Sequence, residues 1–175
     1  MRIISGRHKG KKIYAPKNLP VRPTTDRAKE AIFSKLNTYY NIDQVSVLDL
    51  FSGTGNISYE FASRGCKKIS SVDINNKCVD FIKQTSSQLD VSIKVSRMDC
   101  IKFIISSKDK YDIIFADPPF NYKEHHKLSE EILNSKILNE NGILIIEHGN
   151  ETRFNNELCE QRKYGDIYFS IFNIT

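Results

Sequence analysis

The chain has 175 residues, of which 39% are hydrophobic and 27% charged, and it carries a formal net charge of +5. At about 150 residues per domain this is enough for one folded domain with a sizeable core, and no run approaches the roughly 18 apolar residues that span a bilayer. After Met1, residues 2–12 hold only Ile3 and Ile4 as apolar side chains before Gly6 and Gly10 interrupt them, so no signal-peptide core or targeting helix is expected and a cytoplasmic location is expected.

Residues 2–5 and 11–15 are short extended candidates joined by a glycine-containing basic loop, which predicts a small β-hairpin. Residues 1–20 thus read as a basic arm ahead of a domain at 21–175. Residues 1–35 hold ten Lys or Arg against Asp26 and Glu30, a charge of +8, while the other 140 residues carry about -3. That asymmetry suits a polyphosphate backbone, because each neutralised phosphate releases counterions. Arg2, Arg7, Lys9, Lys11, Lys12 and Arg22 are the candidates for such a grip, although a merely solvated arm fits the composition equally well. Pro16, Pro20 and Pro23 then hold an extended linker. Thr25 or Asp26 caps a helix to about Leu36, with Ala28, Ile32 and Leu36 at helical spacing.

From residue 45 short β-branched runs alternate with longer amphipathic segments, the pattern of βαβ units around a parallel sheet. Strands are predicted at 46–51, 68–73, 92–96, 111–116 and 142–147, with helices at 56–64, 76–88, 100–106 and 123–134 and Gly65 as a helix C-cap. Residues 158–164 and 167–173 flank Gly165-Asp166 and should pair antiparallel. The expected architecture is α/β: a doubly wound, mostly parallel, Rossmann-like sheet with a C-terminal antiparallel hairpin.

Cys66, Cys78, Cys100 and Cys159 are 12, 22 and 59 positions apart, which matches neither a redox pair nor zinc-ligand spacing, so reduced thiols are expected. His8, His125, His126 and His148 have no patterned partner, and no metal is expected.

The first strand of the repeating units ends in Asp49-Leu50-Phe51-Ser52-Gly53-Thr54-Gly55 and opens into a helix, where a parallel α/β sheet places its ligand. Gly53 and Gly55 let the backbone turn tightly and approach a bound molecule. A dinucleotide fingerprint would continue to a third glycine, but Ser58 stands there, and Asp49 lies four positions before the first glycine. A carboxylate beside the turn suits a cationic ligand group, such as the amino group of methionine or a sulfonium, better than a pyrophosphate. Asp73, which ends the second strand 18 residues beyond Gly55, suits the ribose hydroxyls of an adenosine-containing cofactor, with Ile74 following it. Asp99 can accept from an adenine amino group while the Cys100 amide donates to the ring, and Asp99 equally suits a helix N-cap.

The strand at 111–116 runs directly into Asp117-Pro118-Pro119-Phe120. Two prolines remove two amide donors and stiffen the backbone, leaving the carbonyls and the Asp117 carboxylate as a rigid set of acceptors. Such a set fits an exocyclic amine, whose lone pair is delocalised into its ring: accepting both amine hydrogens orients the nitrogen for attack. Phe120 can stack on the target base, worth about 1–3 kcal/mol. With an electrophile already activated as a sulfonium, alignment is the main requirement, and about 7–11 kcal/mol is available from it. A dedicated strong base is unnecessary, since the amine loses its proton after attack; Asp117 can take or relay that proton or only orient the amine.

These residues resemble a known family, the RsmD-type 16S ribosomal RNA guanine-N2 methyltransferases among the class I S-adenosylmethionine-dependent enzymes. The likeness rests on Arg2-Ile3-Ile4-Ser5-Gly6 with Lys9-Gly10-Lys11, on Arg22-Pro23-Thr24-Thr25-Asp26-Arg27, on the Asp49–Gly55 loop and on Asp117–Phe120. It implies methyl transfer from S-adenosylmethionine to the N2 amine of one guanine in small-subunit ribosomal RNA, within a partly assembled 30S particle. It further implies that Asp49, Phe51, Ser52, Gly53, Gly55, Asp73, Ile74, Asp99 and Cys100 surround the cofactor. Asp117, Pro118, Pro119 and Phe120 would hold the guanine, and the basic N-terminus would grip RNA. Asp73 stands where relatives often carry Glu, and the C-terminal region matches only as a generic hairpin. Three other readings stay open: an amino methyltransferase acting on adenine N6 or a protein amide, an NAD-dependent oxidoreductase, and a non-catalytic RNA-binding protein.

Overall fold

The computed structural model describes residues 1–16, 19, 24–119, 121–154 and 157–173. Helix α1 (Asp26–Tyr39) starts where the Thr25 side chain accepts from the Ala28 amide, and it buries Ala28, Ile32, Phe33 and Leu36 on one stripe. It runs three residues past the expected end, because Leu36 is buried and the following turn still closes onto its carbonyl through Tyr40. The remaining elements alternate as expected: β1 (Ser46–Leu50), α2 (Asn56–Ser63), β2 (Lys68–Asp73), α3 (Asn76–Gln88), β3 (Lys94–Arg97), α4 (Cys100–Ser106), β4 (Tyr111–Ala116), α5 (His125–Asn134), β5 (Leu138–His148), β6 (Cys159–Tyr164) and β7 (Ile167–Asn173).

The seven strands form one sheet in the order β3-β2-β1-β4-β5-β7-β6. All neighbouring pairs are parallel except those made by β7, which runs antiparallel to both β5 and β6. β6 and β7 make the expected hairpin through Gly165-Asp166, and β7 inserts between β5 and β6.

Residue alternation sends successive strand side chains to opposite faces. Val47, Ile113, Phe115, Ile143 and Ile145 pack with α1 and α2 on one side. Leu48, Ile114, Ala116, Leu144 and Ile146 pack with α4 and α5 on the other. Helices on both faces explain why these strands read as continuous apolar runs. β5 starts four residues earlier than expected: Leu138 pairs with Tyr111, and an irregularity at Asn141 (φ 59°) precedes Gly142.

The N-terminus departs from the expected hairpin. Regular strands at 2–5 and 11–15 do not form; one antiparallel bridge joins Arg2 and Lys12, with further backbone bonds from Ile3 to Lys11 and from Ile13 to Met1. The pairing stops because the amides of Ile4 and Ser5 donate to the Glu60 carboxylate at 2.9 and 3.0 Å instead of to a partner strand. Ile3 and Ile13 pack on Tyr59, Ile82 and Leu89. Gly6 (φ 78°) is pressed against α2 so closely that a Cβ there would lie 1.8 Å from the Ser63 carbonyl oxygen. The beginning of the chain is therefore docked against the helices rather than extended into solvent. Pro20, Arg22 and Pro23 of the expected linker lie outside the described residues.

Candidate active site

Strand order reverses between β1 and β4, and the C-terminal ends of these strands flank a cavity of about 700 Å³. This is the crevice where an open α/β sheet receives its ligand. The β1–α2 turn builds one wall. Phe51, Gly53 and Gly55 all take positive φ (55°, 51° and 77°), and a bulky residue such as Phe51 rarely adopts that conformation. The turn is held by the Gly55 amide donating to Ser52 O at 2.7 Å and the Ser52 amide donating to Val72 O at 3.1 Å. A Cβ at Gly55 would lie 2.8 Å from the Tyr59 ring. Replacing Gly55 by Ala should therefore cost about 1–3 kcal/mol through backbone strain alone, read as a lower melting temperature together with weaker cofactor binding by calorimetry.

Asp73, at the end of β2, accepts from the Gly53 amide at 2.8 Å through Oδ2 and from the Asn75 amide at 2.8 Å through Oδ1. Each carboxylate oxygen retains further acceptor capacity toward the cavity that Asp73 lines. The adjoining Ile74 is 67% exposed and lines the same cavity, an apolar surface beside an acceptor.

Asp49 is 2% exposed. Its Oδ2 accepts from the Ser58 amide at 3.1 Å and the Ser58 hydroxyl at 2.6 Å, and Ser58 in turn meets Ser71 at 2.6 Å. The residue that broke the dinucleotide fingerprint thus anchors the carboxylate. Burial pushes the Asp49 carboxyl up to about 7, against the opposing effect of the Ser58 bonds.

Asp99 caps α4 by accepting from the Lys102 amide at 3.0 Å. Neither Asp99 nor the buried Cys100 is among the residues lining the cavity. Burial pushes the Cys100 thiol up to about 12.

Asp117, Pro118 and Pro119 follow β4 and line the same cavity as the glycine turn and Asp73. Phe120 lies outside the described residues. The Asp117 carboxyl is held well above the usual carboxylate range, chiefly by withdrawal from water and then by the Glu147 and Asp49 carboxylates. Glu147 was not among the sequence candidates. It sits one step beyond the Ala116–Ile146 register pair, beside Asp117, and is 7% exposed. The Thr24 hydroxyl donates to its Oε2 at 2.7 Å. One signal existed: an acidic residue ending the apolar run Ile143–Ile146, next to the strand that carries the double proline.

A second cavity of about 350 Å³ shares Asp117, Pro118, Glu147 and Ile167 with the first and continues toward Tyr122, His148 and Tyr168. His148 uses both ring nitrogens, toward Gly149 O and Ser170 Oγ at 2.7 Å each. Burial holds His148 and His125 below the usual histidine range, so neither adds positive charge near neutral pH.

The basic candidates separate into two groups. Arg2 pairs with Asp26 at 3.0 Å, and Arg7 donates to the Asp90 carbonyl. Lys9, Lys11 and Lys12 are exposed on the docked N-terminal segment, and Arg22 lies outside the described residues. Lys29, part of the same basic stretch, is wholly buried and bonded to Glu60.

The chain matches the family described as Conserved hypothetical protein 95 over residues 1–173. The ribosomal RNA small subunit methyltransferase D of Buchnera aphidicola subsp. Acyrthosiphon pisum is 32% identical over 148 residues, covering 83% of this chain and 76% of that protein. Its counterpart in Haemophilus influenzae is 30% identical over 154 residues, covering 84% and 78%. A hypothetical protein of Thermus thermophilus superposes with a TM-score of 0.89 at 23% identity over 99% of both chains. The fold is the Rossmann-like class I architecture with the antiparallel C-terminal hairpin. With its glycine turn and double proline lining one cavity at the switch point, the chain belongs to the RsmD-type family of ribosomal RNA small subunit methyltransferases.

Proposed function

We propose that this chain transfers the methyl group of S-adenosylmethionine to the N2 amine of a guanine in small-subunit (16S) ribosomal RNA, acting in the cytoplasm on an assembling 30S particle. One observation carries the reading: Asp117, Pro118 and Pro119 line the same cavity as the positive-φ turn and Asp73. The residues present fit the cofactor. The Asp73 carboxylate suits the ribose hydroxyls, Ile74 suits one face of adenine, and the enclosed carboxylate of Asp49 suits the positive charge of the methionyl portion. Phe51, Ser52, Gly53 and Gly55 shape the turn around it, while Asp99 and the Cys100 amide, outside the lining, are assigned to the adenine edge.

Bound S-adenosylmethionine supplies an electrophilic methyl group on a sulfonium. Asp117 and the Pro118 carbonyl accept the two amine hydrogens and fix the nitrogen in line for attack, and Phe120 is assigned to stacking on the base. With the methyl donor bound, the oriented nitrogen would be the group to receive the methyl, and Asp117 would take the proton that the amine then releases. A carboxyl held above its usual range is a better proton acceptor than an ordinary one.

Labelled S-adenosylmethionine and small subunits from a strain lacking this protein test the reading: the label should appear as N2-methylguanine in 16S RNA. Label in another base, or transfer only to protein, would overturn it.

Residues 1–20 are assigned as the RNA-binding part and residues 21–175 as the catalytic domain. Since Ile3 and Ile13 are core residues, deletion would damage the fold, and the sharper test neutralises the exposed lysines. Replacing Lys9, Lys11 and Lys12 by Gln should weaken RNA binding and lower the salt slope by about 0.7 per lost contact to single-stranded RNA. Filter binding at several salt concentrations reads this out, and an unchanged slope would remove the lysines from the interface.

A further inference from the structure

The double-proline set explains how an amine is oriented, but an adenine also offers an exocyclic amine. Glu147 is one more buried acceptor beside Asp117, lining both cavities. We infer that the second cavity receives the target guanine and that Glu147 reads its N1–H, with Thr24 as the residue that positions the Glu147 carboxylate.

This rests on the guanine-N2 reading above and deepens it. Asp117, Pro118 and Glu147 line both cavities, so they form the wall where a base and the methyl donor would meet. The second cavity is at the small end of the range for ligand sites, about 300–1,000 Å³, and the aromatic residues Tyr122 and Tyr168 and the apolar Ile167 line it. A guanine presents three donor hydrogens in a row, one on N1 and two on N2. Three acceptors face them: Glu147 for N1–H, and Asp117 with the Pro118 carbonyl for the amine. Adenine carries a lone pair at N1 beside its amine, so the same placement sets a carboxylate against a lone pair. Buried acceptors left without donors make such sites strongly discriminating.

Thr24 gives the arrangement its rigidity. Its hydroxyl donates to Glu147 Oε2 at 2.7 Å, and its carbonyl accepts from Asn56 Nδ2 at 3.0 Å. Asn56 Oδ1 accepts from Lys29 at 2.9 Å, and Lys29 also donates to Arg2 O at 2.7 Å. A continuous polar chain thus runs from the docked N-terminal segment to the proposed base reader. Thr24 belongs to the Arg22–Arg27 motif, whose part in the chemistry the sequence did not explain.

The test uses subunits reconstituted with guanine or 2,6-diaminopurine at the modified position. Both offer an N2 amine, but the second has no N1–H. The wild-type protein should prefer guanine by about 10²-fold or more in kcat/KM, since one site hydrogen bond can discriminate by that much or beyond. In Glu147→Gln, whose amide can either accept or donate, the preference should shrink to within about tenfold with S-adenosylmethionine affinity unchanged. Thr24→Val keeps the carboxylate but removes one hydroxyl donor to it, and should raise KM for the guanine substrate and reduce the preference to a smaller degree. If Glu147→Gln proves unfolded, as seen by circular dichroism, the Thr24→Val preference decides. Methylation of guanine N2 with a preference unchanged in the folded variants would overturn the assignment of Glu147 while leaving the proposed function standing. Absence of guanine N2 methylation by the wild-type protein would instead overturn the proposed function itself.

Discussion

Asp117→Asn is expected to slow methyl transfer by about 10²–10⁴-fold, the range associated with losing a positioned proton acceptor, with little change in S-adenosylmethionine affinity. Asparagine keeps the side-chain carbonyl but cannot take the amine proton. The wild-type pH profile carries the same information. The Asp117 carboxyl is raised by burial and by Glu147 and Asp49, so the acid limb of kcat should lie above the usual carboxylate range, and Asp117→Asn should lose that limb. Stability moves the other way. A carboxyl whose folded pKa lies above its unfolded value makes the folded state bind more protons between the two, so stability falls as pH rises through that window. Asp117→Asn removes the raised carboxyl and should melt no lower than wild type, or higher, above neutral pH. Asp49, pushed up to about 7, keeps part of the wild-type slope in the variant. Thermal melts from pH 5 to 9 beside single-turnover rates check both parts; full activity in Asp117→Asn would end the catalytic assignment.

Glu60→Ala carries the largest expected effect on folding. Glu60 and Lys29 are both 0% exposed. The Glu60 carboxylate accepts from the Ile4 and Ser5 amides, from Lys29 at 3.2 Å and from Arg64 at 2.9 Å. Removing it strands a buried ammonium and two backbone amides at once. Breaking one side of a buried pair costs about 3–5 kcal/mol, and in a chain of this size each kcal/mol lowers the melting temperature by about 2–4 °C. A fall of roughly 10 °C is therefore expected, with faster proteolysis within residues 1–16. The burial that holds the Lys29 ammonium below its usual range, despite Glu60, shows how strongly this charge depends on its partner. Lys29→Met should be milder, because Arg64 and the two amides still satisfy Glu60.

Much of the fold was legible in the residues. β2, β4, α3, α4 and β7 occur at the expected positions, because each is a run whose periodicity matches its element and whose ends carry a cap, a glycine or a charge. The glycine turn and the double proline were legible for the same reason: both are contiguous, and their backbone chemistry is written in residue type. Where bounds moved, a tertiary contact decided. β5 was extended by pairing with Tyr111, and the N-terminal hairpin was reduced to a bridge when Glu60 claimed the amides of Ile4 and Ser5.

The sequence by itself determined the alternation of strands and helices, the acceptor set after β4, the carboxylates at Asp49 and Asp73, and the excess of positive charge near the start. Those properties are local, set by side-chain size, periodicity and charge within a few positions. Only the tertiary structure decided which of those charges are free and which acceptors stand together. Lys29, counted among the basic residues, is spent inside the core on a carboxylate 31 positions away. Glu147 meets Thr24 across 123 positions and stands beside Asp117 only because β4 and β5 are parallel neighbours in register. Contacts of that separation come from the strand order of the sheet, and one-dimensional spacing carries no trace of it.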